Sequence, residues 1–184
     1  MGFGKSAAAG TAGSEVRGAF KEVMARVATP VSVVTATGSD GRPSGATVSA
    51  FSSLSVDPPM VLVALDRRSR TLEAIRACGG FGLNVLGAEQ AALAMSFAAK
   101  AAADKFAGVE WRPDRGLPRI LRAPAWIAAA AVDLVDGGDH VIVLGRVESA
   151  ELSGSEPPLV YYRRSFGTHL PNLPAPAGAS PRTA

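Results

Sequence analysis

Short runs of branched and aliphatic residues, separated by turns that contain glycine or proline, restrict the fold of this chain most. "VSVVTAT" and "SGATVSA" flank "GSDGRP", where Asp40-Gly41 is typical of a hairpin turn because glycine accepts positive φ without strain. "MVLVAL" and "FGLNVL" are further strand candidates, and segments 125–136 and 141–152 flank a second turn, "DGGDH". The alanines at 128–131 also suit a helix, but the turn that follows favours a strand. This spacing predicts a β-barrel with a few added helices.

Three segments have helical character. Residues 15–27 carry apolar side chains on one side, "RTLEAIRACGG" ends in glycines typical of a C-cap, and residues 88–99 are rich in alanine. The 184 residues are 47% hydrophobic and 19% charged, which suits one globular domain. We expect a flexible segment over 1–15, a single domain over 16–170, and a proline- and alanine-rich tail over 171–184.

Several classes of function are disfavoured. A net charge of +3 is too small and too scattered to indicate nucleic-acid binding. The single cysteine, Cys78, allows no intramolecular disulfide, and neither histidine has neighbours at metal-ligand spacing. No segment has the character of a signal peptide or a membrane span, so we expect a cytoplasmic protein. Glycine-rich nucleotide fingerprints and a nucleophile elbow are also missing from the sequence.

Hydroxyl-bearing side chains crowd the segment "TVSAFSSLS", which begins at Thr47. Five of its residues carry a hydroxyl. Short hydroxyls and backbone amides at the end of a strand can bind phosphate or the edge of a flat heteroaromatic ring. The alternative is a polar turn whose serines bond the nearby backbone, and the segment alone leaves both interpretations open.

A cluster of arginines surrounds the expected start of the second helix in "LDRRSRTLEAI". Ser69 stands at the N-cap position, with Arg67, Arg68 and Arg70 around it. The N-terminus of a helix favours anions, so a phosphate that joins these cations would explain them. A solvated basic turn is the alternative.

Two other segments carry candidate ligand-binding groups. "DGGDHVIVLGRV" delivers His140 to the start of a strand, where the side chain could face a cleft or be purely structural. "PLVYYRRSFG" places Tyr162 beside Arg163. That pair can stack on a ring or hold a phosphate, and it equally suits an interface or an edge strand.

Taken in order, these segments resemble the flavin reductase family, whose members have the FMN-binding split-barrel fold. The resemblance covers residues 20–170 and rests on "TPVSVVTA", "GATVSAFSSLSVDPPMVLVAL", "FGLNVL", "DKF", "DGGDHVIVLGRV" and "PLVYYRRSFG". It implies a single split-barrel domain, mainly β with helices. It also implies hydride transfer from NADH or NADPH to FMN or FAD, with the reduced flavin passing to a separate monooxygenase component.

The resemblance also implies roles for single residues. His140 is the candidate catalytic residue, on the nicotinamide side of the pocket. Residues 47–53 would follow the flavin ring and its ribityl chain, and residues 69–71 would hold the phosphate. The implied cofactor-binding set is Thr47, Val48, Ser49, Ala50, Ser52, Ser53, Ser69, Arg70, Thr71, Asn84, Lys105, Phe106, Tyr162 and Arg163. Val48 stands where the family frequently has asparagine, which leaves the flavin preference open.

Two other functions are compatible with the same barrel. A flavin- or haem-binding module would hold its ligand without oxidising NAD(P)H. An enzyme similar to pyridoxamine-phosphate oxidase would retain its FMN and oxidise an organic substrate of its own. The family resemblance further implies a homodimer, and we expect no metal, nucleic acid or membrane among the partners.

Overall fold

The computed structural model describes residues 6–99 and 104–169, most of them in β-strands. The helices are α1 (Ser6–Met24), α2 (Arg70–Cys78) and α3 (Ala91–Ala98), the last preceded by a 3₁₀ turn at Ala88–Gln90. The strands are β1 (Thr29–Pro30), β2 (Ser32–Thr37), β3 (Pro43–Val48), β4 (Phe51–Val56), β5 (Pro59–Asp66), β6 (Gly80–Val85), β7 (Trp111–Asp114), β8 (Leu117–Ile120), β9 (Ala125–Gly137), β10 (His140–Leu152), β11 (Leu159–Tyr162) and β12 (Ser165–Thr168).

The central sheet has seven antiparallel strands in the order β3-β2-β6-β9-β10-β5-β4. Its two outer strands, β3 and β4, are consecutive in the chain and are joined only by Ser49 and Ala50. The Ala64 N–H of β5 donates to the Ala50 carbonyl at 2.8 Å. The sheet therefore curls until its two edges meet at this corner, and the Ser49–Ala50 seam closes the barrel.

Most of the predicted elements are present. Gly41, at φ 77°, makes the β2–β3 turn, and residues 128–131 lie within strand β9, as the sequence indicates. Sequence reasoning missed β4 and the β7–β8 hairpin. Helix α1 begins at Ser6, so residues 6–15 of the predicted N-terminal segment are helical, and the flexibility of that segment stays a prediction. The predicted tail 171–184 lies outside the described residues.

The barrel interior is filled by aliphatic side chains and closed by α2. Val34, Val63 and Phe81 are completely buried in this cluster, and α2 adds Leu72 and Ile75 to it. Helix α2 stops at Gly79, whose φ of 73° is the left-handed conformation that ends a helix. The helix is thus fixed over the barrel by its apolar face.

A second apolar cluster lies between the barrel wall and α3. Val33, on the opposite face of β2 from Val34, packs there with Phe97 and Phe106. The Phe97 and Phe106 rings meet edge to face with centroids 5.0 Å apart. Gly45 permits the close approach of the Phe97 ring to strand β3, because a Cβ at position 45 would lie 2.6 Å from that ring.

A buried arginine fixes the β7–β8 hairpin to the long β9–β10 hairpin. Arg119 Nη1 donates to Asp114 at 2.9 Å and to Glu151 at 2.7 Å, and its guanidinium lies 5.8 Å from the centroid of the Trp126 ring. Arg119 is only 7% exposed, so both carboxylates act on a cation that has little water around it. This ion cluster anchors the hairpin that carries Trp111.

Asn84 is a second buried polar link between strands. The residue is fully buried on β6, its Nδ2 donates to the Val33 carbonyl at 3.1 Å, and its Oδ1 accepts from the Ile120 N–H at 2.8 Å. The side chain therefore joins β6 to β2 and β8. Both polar atoms of the side chain are bonded inside the protein, and a contact of Asn84 with the flavin stays a prediction.

Replacement of Asn84 by alanine tests this structural role. The Asn84→Ala variant leaves the Ile120 N–H without its acceptor in the interior, so we expect a loss of about 2–4 kcal/mol in the free energy of unfolding. Urea unfolding measures the loss, and Ser52→Ala, which removes an exposed hydroxyl, serves as control with a change below about 0.5 kcal/mol. An Asn84→Ala variant of unchanged stability that fails to bind flavin would contradict the assignment.

Candidate active site

A large cavity opens beside the barrel seam, between α2, strand β3 and the adjoining ends of β5 and β10. Its volume is about 1200 Å³. Pockets for a single drug-sized ligand span about 300–1,000 Å³, so this cavity has room for more than one such group. Phe97, Phe106 and Trp111 form one wall, with the Phe106 and Trp111 rings 5.5 Å apart.

The cavity gathers most of the residues predicted from the sequence. The predicted residues that line it are Thr47, Val48, Ser49, Ala50, Ser69, Arg70, Thr71, Lys105, Phe106 and His140. Segments separated by up to about half the chain thus meet at one site. Ser52, Ser53, Asn84, Tyr162 and Arg163 are not among the lining residues.

Ser52 and Ser53 lie away from the cavity because the chain bends at the seam. Both are exposed on the edge strand β4, and Ser52 Oγ donates to the Ser53 carbonyl at 2.9 Å. Neither serine is among the residues that line the main cavity, and their contact with the flavin stays a prediction. The hydroxyl-rich segment has two parts, one in the cavity wall and one on an outer edge.

Tyr162 and Arg163 belong to a different surface. The Arg163 N–H donates to the Ala25 carbonyl at 2.8 Å, just after α1, and the Arg163 guanidinium lies 5.5 Å from the centroid of the Tyr162 ring. Tyr162 lines a separate cavity of about 390 Å³ together with Pro30 and Val160. The predicted contact of this pair with the flavin is not supported, because the β11–β12 hairpin packs beside α1.

One end of the main cavity is suited to an anion. Lys105 Nζ donates to the Phe97 carbonyl at 2.7 Å and to the Gly45 carbonyl at 3.3 Å. Partial burial, and to a lesser degree the charge of Arg70, lower the pKa of the Lys105 ammonium. Two cations that face the same space repel each other, and an anion bound between them would offset this repulsion.

Hydroxyls complete this end of the cavity. Ser44 Oγ and Thr71 Oγ1 lie 3.1 Å apart, which joins β3 to the first turn of α2. Ser69 is the N-cap, and its Oγ accepts the Thr71 N–H at 3.2 Å. The predicted cap is confirmed. Hydroxyl groups, a helix N-terminus and an ammonium group therefore converge where a phosphate could bind.

The arginine cluster is divided between internal partners and the cavity. Arg67 Nη1 pairs with Asp136 at 2.9 Å, and its Nε donates to the Gly138 carbonyl at 2.7 Å. Arg68 pairs with Asp66 at 3.3 Å. Both arginines therefore have carboxylate partners within the chain, as the alternative of a solvated basic turn allows, and a phosphate that joins the cluster stays a prediction. Arg67 also ties the start of α2 to the tip of the β9–β10 hairpin.

The other end of the cavity has small side chains. Ser49 and Ala50 lie at the barrel seam opposite Ala64 and Leu65, so a flat group can approach the backbone closely there. Thr47 Oγ1 donates to the Ala94 carbonyl at 2.6 Å, which fixes α3 to β3. Val48 also lines the cavity, but the residue is only 7% exposed and its side chain belongs to the barrel core.

His140 begins strand β10 at this end, opposite Asp66 in the register. Its Nδ1 lies 2.8 Å from Asp139 Oδ1, and its side chain is 45% exposed. The bond to His140 lowers the pKa of the Asp139 carboxyl. Because Nδ1 is engaged, Nε2 is the ring nitrogen available to a ligand in the cavity.

Four features of the cavity were missed from the sequence: Ser44, the Gly45 carbonyl, Trp111 and the β2–β3 turn over residues 38–43. Ser44 precedes the hydroxyl-rich segment on the same strand, and that proximity could have indicated that it belongs to the same site. Nothing in the sequence around Trp111 indicates that it lies at the site. It reaches the cavity only because the β7–β8 hairpin folds over Phe106.

Comparison with known proteins decides the family. A family model for the flavin reductase like domain matches residues 24–169. The chain belongs to the flavin reductase family. This confirms the split-barrel fold and the enzyme class, an oxidoreductase. The chain is 43% identical over 152 residues to the reductase component of a 4-nitrophenol 4-monooxygenase/4-nitrocatechol 2-monooxygenase from Rhodococcus opacus, covering 83% of this flavin reductase and 80% of that protein.

Other relatives and structures agree. The chain is 40% identical over 137 residues to a probable flavin reductase of Rhizobium meliloti, covering 74% of this chain but only 44% of that longer protein. Nitrilotriacetate monooxygenase component B from Mycobacterium thermoresistibile superposes with a TM-score of 0.83 at 32% identity, covering 92% and 95% of the two chains. The NADH:FAD oxidoreductase SgcE6 of Streptomyces globisporus, solved with NAD and FAD fragments, superposes at 0.79 with 31% identity, covering 86% and 95%.

Lys105 provides a test of the phosphate end. In the Lys105→Met variant we expect the dissociation constant of FMN to rise roughly 10- to 100-fold, since a charge-assisted bond is lost. Riboflavin, which has no phosphate, is the matched control ligand and should bind both proteins equally.

Because the Lys105 pKa is lowered, FMN affinity of the native protein should decline as pH rises, beginning below the usual lysine pKa of about 10.4.

Flavin fluorescence titrations at several pH values measure both effects. The decline should be missing from Lys105→Met, since the group that loses its proton is gone. An equal loss of affinity for riboflavin and FMN would show that Lys105 supports the fold of the cavity and does not bind the phosphate.

Proposed function

We propose that this flavin reductase binds FMN or FAD in the main cavity, reduces it with NADH or NADPH, and supplies the reduced flavin to a separate monooxygenase component. The supporting observation is the layout of the cavity, with anion-binding groups at one end and small residues beside His140 at the other. When bound, the flavin accepts a hydride from the nicotinamide, so no protein nucleophile is required.

The dimensions of strand β3 fit a flavin along it. Ser44, at the anion end, and Ser49, at the seam, are separated by about 16 Å of strand at about 3.3 Å per residue. A ribityl phosphate and a three-ring system laid end to end need a length of this order. Lys105, Ser44 and Thr71 would hold the phosphate, and the main chain from Thr47 to the seam would face the ring.

The seam would also determine how the two rings meet. Hydride transfer needs the reacting atoms about 3–3.5 Å apart, so the flavin ring must be held against a surface that does not move. The bond between Ala50 and Ala64 fixes that surface. Backbone amides there would favour the negative charge that builds on the reduced ring.

His140 would orient the nicotinamide. It lies at the seam end of the cavity, and its Nδ1 is held by Asp139, which fixes the orientation of the ring. Its Nε2 could then bond the carboxamide of the nicotinamide. Replacement of His140 by alanine should raise the KM for NADH about tenfold, the value of one hydrogen bond, and leave the flavin dissociation constant within about twofold.

Steady-state kinetics and flavin titrations on the same preparation of His140→Ala separate these two quantities. A variant that loses flavin affinity while its KM for NADH is unchanged would place His140 at the flavin and contradict the proposed role.

We extend the proposal to assembly and location. The apolar side chains Val16, Phe20 and Val23 of α1 are all more than 60% exposed, which supports a homodimer in which a second copy covers this helix. Consumption of NAD(P)H supports a location in the cytoplasm. No helix in the described part of the chain is both long and apolar enough to cross a bilayer.

Absorbance at 340 nm tests the activity. The purified protein is mixed in air with NADH or NADPH and with riboflavin, FMN or FAD, and we expect catalytic loss of the reduced nicotinamide that depends on added flavin. Flavin binding without turnover would contradict the proposal and favour a binding module. Tightly retained FMN that added NAD(P)H does not reduce would favour an oxidase of another substrate.

A further inference from the structure

The tip of the β9–β10 hairpin brings His140 to the main cavity, but burial does not hold the tip in place. Gly137 pairs with His140, so the turn between the strands consists of Gly138 and Asp139 alone. Gly138 has a φ of 68°, the left-handed conformation that a two-residue hairpin turn favours at its first position. Residues 132–139 are all exposed. Polar bonds must therefore fix the turn.

Arg67 makes three such bonds from the segment between β5 and α2. Its N–H donates to the Asp139 carbonyl at 3.0 Å, and its Nε donates to the Gly138 carbonyl at 2.7 Å. Its Nη1 pairs with Asp136 at 2.9 Å, near the end of β9. A guanidinium suits this arrangement because its donors form a rigid planar fork that can bond two acceptors at once. One residue thus engages both carbonyls of the turn.

Asp139 passes this constraint on to the imidazole ring. Its Oδ1 lies 2.8 Å from His140 Nδ1, although Asp139 is exposed and His140 is only half-buried. Pairing of β10 with β5 places the main chain of His140 opposite Asp66, but a strand ladder does not orient a side-chain ring. The orientation of the ring therefore depends on Asp139, whose main chain is held by Arg67.

We propose that Arg67 is a positioning residue for the nicotinamide, because it fixes the turn from which Asp139 directs the His140 ring at bound NADH or NADPH. The inference rests on the proposed function, since it takes His140 to bond the nicotinamide. Arg67 is not among the residues that line the main cavity, so it acts through the turn and not by contact with a ligand. Without its side chain the ring must be ordered each time the nicotinamide binds, which lowers the affinity.

The bonds of the Arg67 side chain are too exposed to act mainly on stability. The Arg67 and Asp136 side chains are 40% and 79% exposed, and exposed ion pairs contribute little to the free energy of unfolding. We therefore expect the loss of the Arg67 side chain to change the kinetics far more than the stability.

Direct contact of Arg67 with the 2′-phosphate of NADPH is the alternative role for this cation. The two roles predict different results. Direct contact would change the KM for NADPH alone. A positioning role changes the KM for NADH and for NADPH by the same factor, because both carry the same nicotinamide.

A double-mutant cycle with His140 tests the inference by steady-state kinetics at saturating flavin. We expect Arg67→Ala to raise the KM for NADH and for NADPH about fivefold, less than His140→Ala does, because the ring is still present. In the His140→Ala background the same change should raise the KM by less than about twofold, because Arg67 then has no ring to position. The flavin dissociation constant should stay within about twofold of the native value throughout.

Three further variants make the result specific. Arg67→Lys keeps the charge but not the planar fork, so it should recover part of the loss, with a KM about twofold above the native value. Asp136→Asn leaves Arg67 in place and removes its charged partner, and it should raise the KM about threefold, again only when His140 is present. Arg76→Ala removes an exposed arginine of α2 outside the cavity lining and is the matched control, with no change in KM. Urea unfolding checks that each variant is folded.

A native KM for NADH in Arg67→Ala would overturn the inference, and so would a rise that persists in full in the His140→Ala background. A rise for NADPH alone would assign Arg67 to the 2′-phosphate and also overturn it. Failure of the proposed function has a different signature. In that case His140→Ala itself leaves the KM for NADH unchanged, and the inference falls with it.

Discussion

The meeting of β3 and β4 at the Ser49–Ala50 corner is the constraint on which the rest of this structure depends. A seven-stranded sheet has two edges, and here the edge strands are consecutive in the chain. The hydrogen bond from the Ala64 N–H to the Ala50 carbonyl ties the corner to β5. Closure places the small residues of the seam beside the start of β10, and so creates the end of the cavity at which His140 lies.

Two polar links fix the positions of the remaining parts of the cavity relative to the seam. Arg67 bonds Asp136 and the Gly138 carbonyl, so the N-terminus of α2 is held to the tip of the β9–β10 hairpin. Lys105 bonds carbonyls of both α3 and β3, so the segment after α3 is fixed beside the proposed phosphate site. Rigid placement of both ends suits a reaction in which the protein contributes orientation and charge stabilisation and the bound groups contribute the chemistry.

Much of this arrangement follows from the sequence, and the exceptions have physical reasons. Turn glycines and valine-rich runs identify the hairpins, and the Ser69 cap identifies the start of α2, because both are local signals. Asn84 shows what local signals do not reveal. The sequence places it on a strand, but only the packed structure shows that its amide bonds β6 to β2 and β8. Ser52 lies outside the lining of the cavity for a related reason, since a two-residue bend separates hydroxyls that are neighbours in sequence. Arg67 has its carboxylate partner at Asp136, a long-range contact that local pattern cannot reveal.

The position of the flavin phosphate is the most direct test of the proposed site, and a crystal structure of the protein with bound FMN would measure it. We expect the phosphate within hydrogen-bonding distance of Lys105 Nζ and Thr71 Oγ1, with the ring against Ser49 and Ala50. A flavin in the reverse direction, with its ring beside Lys105, would contradict it. So would a flavin bound in the smaller cavity at Tyr162.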